Sequence, residues 1–206
     1  MEDATLCINL ADKVVVRGAS GSGKSSLLKC AVGLFPIQAG SVTVDGLELT
    51  STTANDIRRR IAYIGQEPVL GAETVLEALH LPFTFKSHRD RKPSVQTVAE
   101  LLERLHLPES ILQQPCKRIS GGEKQRIAIA RALLLDKNIF LADEITSALD
   151  PGSRKAVMTE LFRPDITLLS VSHDPEWISA CGRTVEIRNR QLQEETPGSN
   201  HNGERS

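Results

Sequence analysis

Two stretches of this chain are built to hold negative charge. Gly18-Ala19-Ser20-Gly21-Ser22-Gly23-Lys24-Ser25 fits the pattern G-x-x-x-x-G-K-[ST]. Its glycines let the backbone wrap so that successive N–H groups point inward at a phosphate. Lys24 reaches β- and γ-phosphates, and the Ser25 hydroxyl suits Mg²⁺. The second stretch is Ile119-Ser120-Gly121-Gly122-Glu123-Lys124-Gln125-Arg126. Ser120, Gly121 and Gly122 open a helix there, with unpaired backbone N–H groups at the positive end of the helix dipole. A chain with one phosphate loop thus carries a second anion site that needs a reason.

Between and after these lie the residues that could act on a bound phosphate. Ile139-Phe140-Leu141-Ala142-Asp143-Glu144 is an apolar run ending in two carboxylates. Asp143 suits a Mg²⁺ held through water, and Glu144, one residue further on, could polarise an attacking water as general base. By themselves the two could equally cap the next element. His173 follows the apolar run Ile166 to Val171. It is either an ordinary polar terminus or, because ligands gather at strand C-termini, a γ-phosphate contact. Gln66 sits where strand patterns give way to helical ones, and an amide there could bind Mg²⁺ or orient water. His80, His88, His106 and His201 form no metal set and receive no role. Cys7, Cys30, Cys116 and Cys181 lack metal-ligand spacing and read as buried or free thiols.

These residues need a scaffold. Lys13 to Arg17 reads as a buried β-branched strand, followed after the glycines by a helix through about Leu34. Ser41 to Thr50 reads as a hairpin turning at Asp45-Gly46, Asn55 to Arg60 as a short helix, and Ile61 to Ile64 as a strand. From about Glu67 to Lys117 helical patterns such as Val95 to Leu107 dominate, with a polar, exposed loop at residues 86–94. The core then resumes: a helix from Ser120, a strand at Ile139 to Ala142, a helix after Pro151, and strands at Ile166 to Val171 and Arg183 to Ile187. Near-continuous apolar strands alternating with helices predict an α/β fold with a mainly parallel sheet covered on both faces. The boundaries expected are one domain over residues 1–193, a helical subdomain at about 67–135, and a disordered tail over 194–206.

Composition narrows the partners. A net charge of −1 gives no basic field for nucleic acid, and 3% aromatic residues is thin for stacking bases. No run of about 18 apolar residues predicts a membrane span, and the acidic start does not read as a secretory signal.

Taken in order, the motifs resemble those of the ATP-binding subunits of ABC transporters. The Walker A loop is Gly18 to Ser25, the Q-loop glutamine Gln66, and the signature Ile119 to Glu123. Walker B with its glutamate is 139–144, the D-loop Ser147 to Asp150, and the switch histidine His173. The resemblance implies a P-loop NTPase core, a small antiparallel β portion that is shortened at its N-terminus, and an inserted helical subdomain. It implies ATP and Mg²⁺ as ligands, with Ser25, Gln66 and Asp143 at the metal. It also implies a head-to-tail dimer in which Ser120, Gly121 and Gly122 of one copy close over the ATP of the other. That would account for the second anion site. Hydrolysis would be aided by Glu144 and His173. Gln66 would couple it to a membrane-spanning permease, with the chain on the cytoplasmic face of the inner membrane. The phrases ISGGEKQRIA and DEITSALD look most similar to the Fet-type iron exporters.

The chain departs from the pattern in places. Ile119 and Glu123 replace the commonest signature residues, and Ser26, another expected nucleotide contact, stands where threonine is usual. No aromatic precedes the Walker A loop, since the first is Phe35. The family usually stacks such an aromatic on adenine, worth about 1–3 kcal/mol. Two readings follow: a chain that starts downstream of that aromatic, or a weakened cassette serving as an interaction module.

Overall fold

The protein, seen here in a computed structural model, is described over residues 4–195. The β-branched run expected as a strand is one: Lys13–Gly18 forms β1, with Val14, Val15 and Val16 fully buried. It leads through the glycine loop into α1 (Lys24–Ala31). A two-residue hairpin follows, β2 (Thr43–Val44) and β3 (Leu47–Glu48). Asp45 and Gly46 between them both take left-handed backbone, φ 48° and 74°, the turn that matches strand twist. Next come α2 (Ala54–Arg60) and β4 (Ile61–Ile64). The helical portion supplies α3 (Val75–His80), α4 (Val95–Arg104) and short 3-10 turns.

The core then resumes with α5 (Gly121–Leu133), β5 (Ile139–Asp143), α6 (Pro151–Leu161) and β6 (Thr167–Val171). The last elements are α7 (Pro175–Ala180), β7 (Arg183–Arg188) and β8 (Gln191–Glu195). Side-chain caps start α3 to α7: Thr74, Ser94, Ser120, Asp150 and Asp174 each accept a hydrogen bond from the first turn they precede.

Six strands form one sheet in the order β4-β5-β6-β1-β7-β8. The first five run parallel, and β8 returns antiparallel along β7. Alternate residues face opposite layers. Val15, Phe140 and Leu168 join Leu102, Ile127, Val157 and Trp177 on one side. Val14, Val16, Leu141 and Leu169 join Leu28 and Ile57 on the other. The ABC-type mixed fold expected from the sequence is therefore present, with the small antiparallel sheet reduced to β2 and β3. Residues 4–12 run irregularly, laying Leu6 and Ile8 against the second layer.

Three boundaries differ from expectation. The first helix stops at Ala31 rather than Leu34, because Gly33 turns left-handed at φ 66° and its N–H donates to the Cys30 carbonyl. Arg58 then takes the freed carbonyls of Val32 and Gly33 at 2.9 and 2.8 Å. The short helix α7 was not expected at all. The tail expected from Glu194 begins too early, since Glu194 and Glu195 lie in β8, paired with Val185 and Thr184. Its turn, Asn189-Arg190, is left-handed at both residues without a glycine, so it lacked the usual hairpin signal. The remainder of that expected tail, 196–206, lies outside the described residues.

Trp177, fully buried, donates from its indole nitrogen to Ser170 Oγ at 2.9 Å and meets Phe162 edge-on at 5.0 Å. Trp177→Phe removes a buried donor and part of a filled volume. It is expected to lower unfolding free energy by about 1–3 kcal/mol, measured by urea denaturation.

Candidate functional site

The glycine loop is shaped by what surrounds it. At Gly18 the backbone turns to φ +146°, and a Cβ would lie 2.8 Å from the Ile187 carbonyl and 2.9 Å from Ser22 Oγ. Only glycine lets β1 end so close to β7. Gly21 and Gly23 are also left-handed. Lys24 is buried, and its Nζ donates back across the loop to the carbonyls of Gly18 and Ala19 at 2.9 and 3.0 Å. Among the described residues Ser22 Oγ is buried with no hydrogen-bond partner, a polar group that phosphate oxygens would satisfy. Ser25 and Ser26 open α1, with Ala19 and Ser20 exposed at the rim.

The expected carboxylates arrive beside this loop. Ser25 Oγ donates to Asp143 Oδ1 at 2.9 Å, joining residues 118 apart in sequence. Tyr63 donates weakly to the other oxygen at 3.4 Å. Burial, and then the Asp143 charge, push the Tyr63 phenol up to about 12, so it stays a donor. A buried carboxylate against a hydroxyl is the oxygen set that Mg²⁺ takes when substrate phosphates complete its shell. The residues therefore fit the metal.

Glu144 leaves β5 in a left-handed conformation, φ 49°, its N–H held by the Val171 carbonyl at 2.9 Å. That turn aims its carboxylate at two other expected residues. Gln66 Nε2 donates to one oxygen at 3.1 Å, and His173 Nε2 stands 3.8 Å from the other. Gln66 thus meets Glu144 here, rather than Ser25 or Asp143.

The second anion site is built as a capping box. Ser120 N–H and hydroxyl both donate to Glu123 Oε2, and Glu123 N–H returns a bond to Ser120 Oγ. The Ser120 bonds hold the Glu123 carboxyl below its usual range. Among the described residues no hydrogen bond links Ser120–Gly122 to Gly18–Ser26.

Sequence reasoning missed what Gly122 packs on. A Cβ there would lie 2.8 Å from the Ala148 carbonyl, so the start of α5 rests on the 147–150 turn of the same chain. That turn is pinned by Ser147 Oγ on the Glu144 carbonyl and by Asp150, whose bonds from Ser153 pull its carboxyl down to about 2. It also missed Tyr63, for which only strand register could have served as a signal, since Tyr63 pairs with Leu141.

Residues 1–147 match the family model described as ABC transporter. The chain belongs to the ABC transporter ATP-binding family. Members of that family are ATP-hydrolysing subunits of transporters. Among its relatives is the glutamate/glutamine/aspartate/asparagine transport ATP-binding protein BztD of Rhodobacter capsulatus. The two are 35% identical over 90% of this chain and 72% of the relative. The probable iron export ATP-binding protein FetA of Escherichia coli is 33% identical over 84% and 78%. The glutamate/aspartate import protein GltL of the same species is 34% identical over 96% and 84%. An import protein and an export protein stand at nearly the same identity, so the family is shown and the Fet type is not singled out. Among solved structures, the dimeric ATP-binding cassette MJ0796 bound to ADP and Pi superposes with a TM-score of 0.80. It is 29% identical over 94% of this chain and 88% of the other.

The two signature glycines should behave differently. Nothing lies within 4 Å of a Cβ at Gly121, whereas Gly122→Ala would collide with backbone. Gly122→Ala is expected to lower monomer stability by about 1–3 kcal/mol and Gly121→Ala by less than about 1, read from thermal unfolding.

Proposed function

We propose that this chain binds ATP on Gly18–Ser26 and hydrolyses it as a head-to-tail pair. In that pair Gly121 and Gly122 N–H groups, oriented by the Ser120 box, meet the γ-phosphate held by the other copy. The observation that carries this reading is the convergence of Ser25, Asp143, Glu144, Gln66 and His173 at one edge of the sheet. The dimeric form of the MJ0796 cassette and the lack of hydrogen bonds between the two anion sites support pairing in trans.

In the proposed cycle Lys24 exchanges the carbonyls of Gly18 and Ala19 for β- and γ-phosphate oxygens. Ser25 and Gln66 directly, and Asp143 through water, would hold Mg²⁺, which supplies charge neutralisation at the phosphates. For this Gln66 must release Glu144. The freed carboxylate accepts a proton from the attacking water, while its oxygen bonds to the γ-phosphorus and the bond to ADP breaks. His173 would donate to the γ-phosphate.

A membrane permease is the proposed partner. The chain just after Gln66 lines an open cleft of about 480 Å³, with Val69, Leu70, Leu81, Pro82 and Phe85 in its wall. Val69 is 77% and Phe85 62% exposed. Arg131 holds its rim by donating to the Leu70 and Val69 carbonyls at 2.9 and 3.0 Å. Large exposed apolar residues at the exit of β4 suit a helix of a partner that responds to Gln66. No described helix is long and apolar enough to cross a membrane. The proposed permease partner would place the chain on the cytoplasmic face of the inner membrane. Iron or another metal ion as exported cargo rests on the phrases ISGGEKQRIA and DEITSALD alone. It predicts ATPase stimulation by that metal in the presence of the permease.

Glu144→Gln keeps the hydrogen bond to Gln66 but loses the base. It is expected to lower ATP turnover by about 10²–10⁴-fold while ATP still binds and a dimer accumulates on size exclusion. Normal turnover in this variant would remove Glu144 from the mechanism.

A further inference from the structure

His173 is 58% exposed in its side chain, with Glu144 Oε1 3.8 Å from its Nε2, so its direction depends largely on its backbone. That backbone is tied down from one side. Ser172 Oγ accepts from Asp174 N–H at 3.1 Å. Asp174 Oδ1 accepts from Glu176 and Trp177 N–H at 2.9 and 3.0 Å, capping α7. Its second oxygen meets Arg154 Nη1 at 2.9 Å. Arg154 Nη1 also lies 3.7 Å from Glu176 Oε2.

Arg154 comes from α6, immediately after the 147–150 turn, and its N–H donates to the Asp150 carbonyl at 2.9 Å. The side chains of Arg154 and Asp174 are 23% and 11% exposed. A pair this sheltered is screened less by solvent and salt than a surface one. Among the described residues Arg154 Nε is buried with no hydrogen-bond partner, and the contacts to Asp174 and Glu176 are made by Nη1. Together Glu144, Ser147, Arg154, Ser172 and His173 line a cleft of about 230 Å³.

We propose that Arg154 is a positioning residue for His173. Its ion pair with Asp174 locks the turn carrying the histidine to the first turn of α6, and thereby to the 147–150 turn on which Gly122 rests. Movement of that turn reaches His173 through one guanidinium. Among the described residues no ion pair or hydrogen bond joins the Arg154 side chain to Glu144 or His173, and its closest charged contact is Asp174. The proposal rests on the role given to His173 above.

The conservative changes are favourable for a test. Asp174→Asn keeps an oxygen for the α7 cap and removes the charge. Arg154→Lys keeps a cation able to make the single contact that Nη1 makes. Steady-state ATPase of the full chain should show Arg154→Ala lowering kcat by about tenfold or more, with KM for ATP within about twofold. Arg154→Lys should recover most of kcat. Asp174→Asn should match Arg154→Ala, and the double variant should be no worse than either.

Unchanged kcat in Arg154→Ala overturns the proposal. So do losses that multiply in the double variant, or a loss that lysine does not recover and that comes with a raised KM and a lowered Tm. His173→Ala separates the two layers. If it retains full kcat, the role of His173 itself fails. If it loses kcat while Arg154→Ala does not, only the positioning role fails.

Discussion

The hydrogen bond from Ser25 to Asp143 is the contact on which the site depends. It brings the first turn of α1 against the end of β5, and it can form only because β1, β6 and β5 run parallel in register, Val16 beside Val171 and Val171 beside Asp143. A parallel sheet presents all its carboxyl ends at one edge, and each strand there releases a loop. Slipping any strand by one residue would swap its faces and swing its terminal group out of reach. The buried valines, leucines and isoleucines that fix the register are thus as necessary to the site as the polar residues they carry.

Around that contact the polar groups are already engaged with one another. Lys24 is bonded to loop carbonyls, Gln66 to Glu144, and Ser120 to Glu123. In the proposed cycle the Lys24 and Gln66 bonds are exchanged for bonds to substrate or metal while the Ser120 box stays, so binding replaces interactions instead of adding to a bare surface. Such exchange holds the groups near their working positions and keeps the ordering cost of binding small.

Much of the fold was legible. Runs such as Val14 to Val16 and Ile139 to Ala142 are too short and too β-branched for helices, and the Asp45-Gly46 turn states its own geometry. What was missed lay where local chemistry is silent. The Asn189-Arg190 turn carries no glycine, and β8 becomes a strand only because β7 offers it an edge and Leu192 a layer to pack on. Ser25, Gln66, Asp143, Glu144 and His173, which the structure brings together, were named beforehand, yet Tyr63 and the contact of Gly122 with Ala148 were invisible. A glycine's reason for being small is the atom opposite it, and that atom comes from another element.

The sequence by itself determined the chemistry: a phosphate loop at Gly18 to Ser25, a carboxylate pair at 143–144, a helix start at Ser120 and the family these belong to. Only the tertiary structure decided which of them meet. The chain presents β1, β4, β5 and β6 in that order, but the sheet orders them β4-β5-β6-β1. Gln66, Glu144, His173 and the glycine loop thereby become neighbours, and the Ser120 helix start joins none of them by a hydrogen bond. Strand order follows from which apolar faces bury best against which helices. That is a property of the whole chain, and no local spacing encodes it.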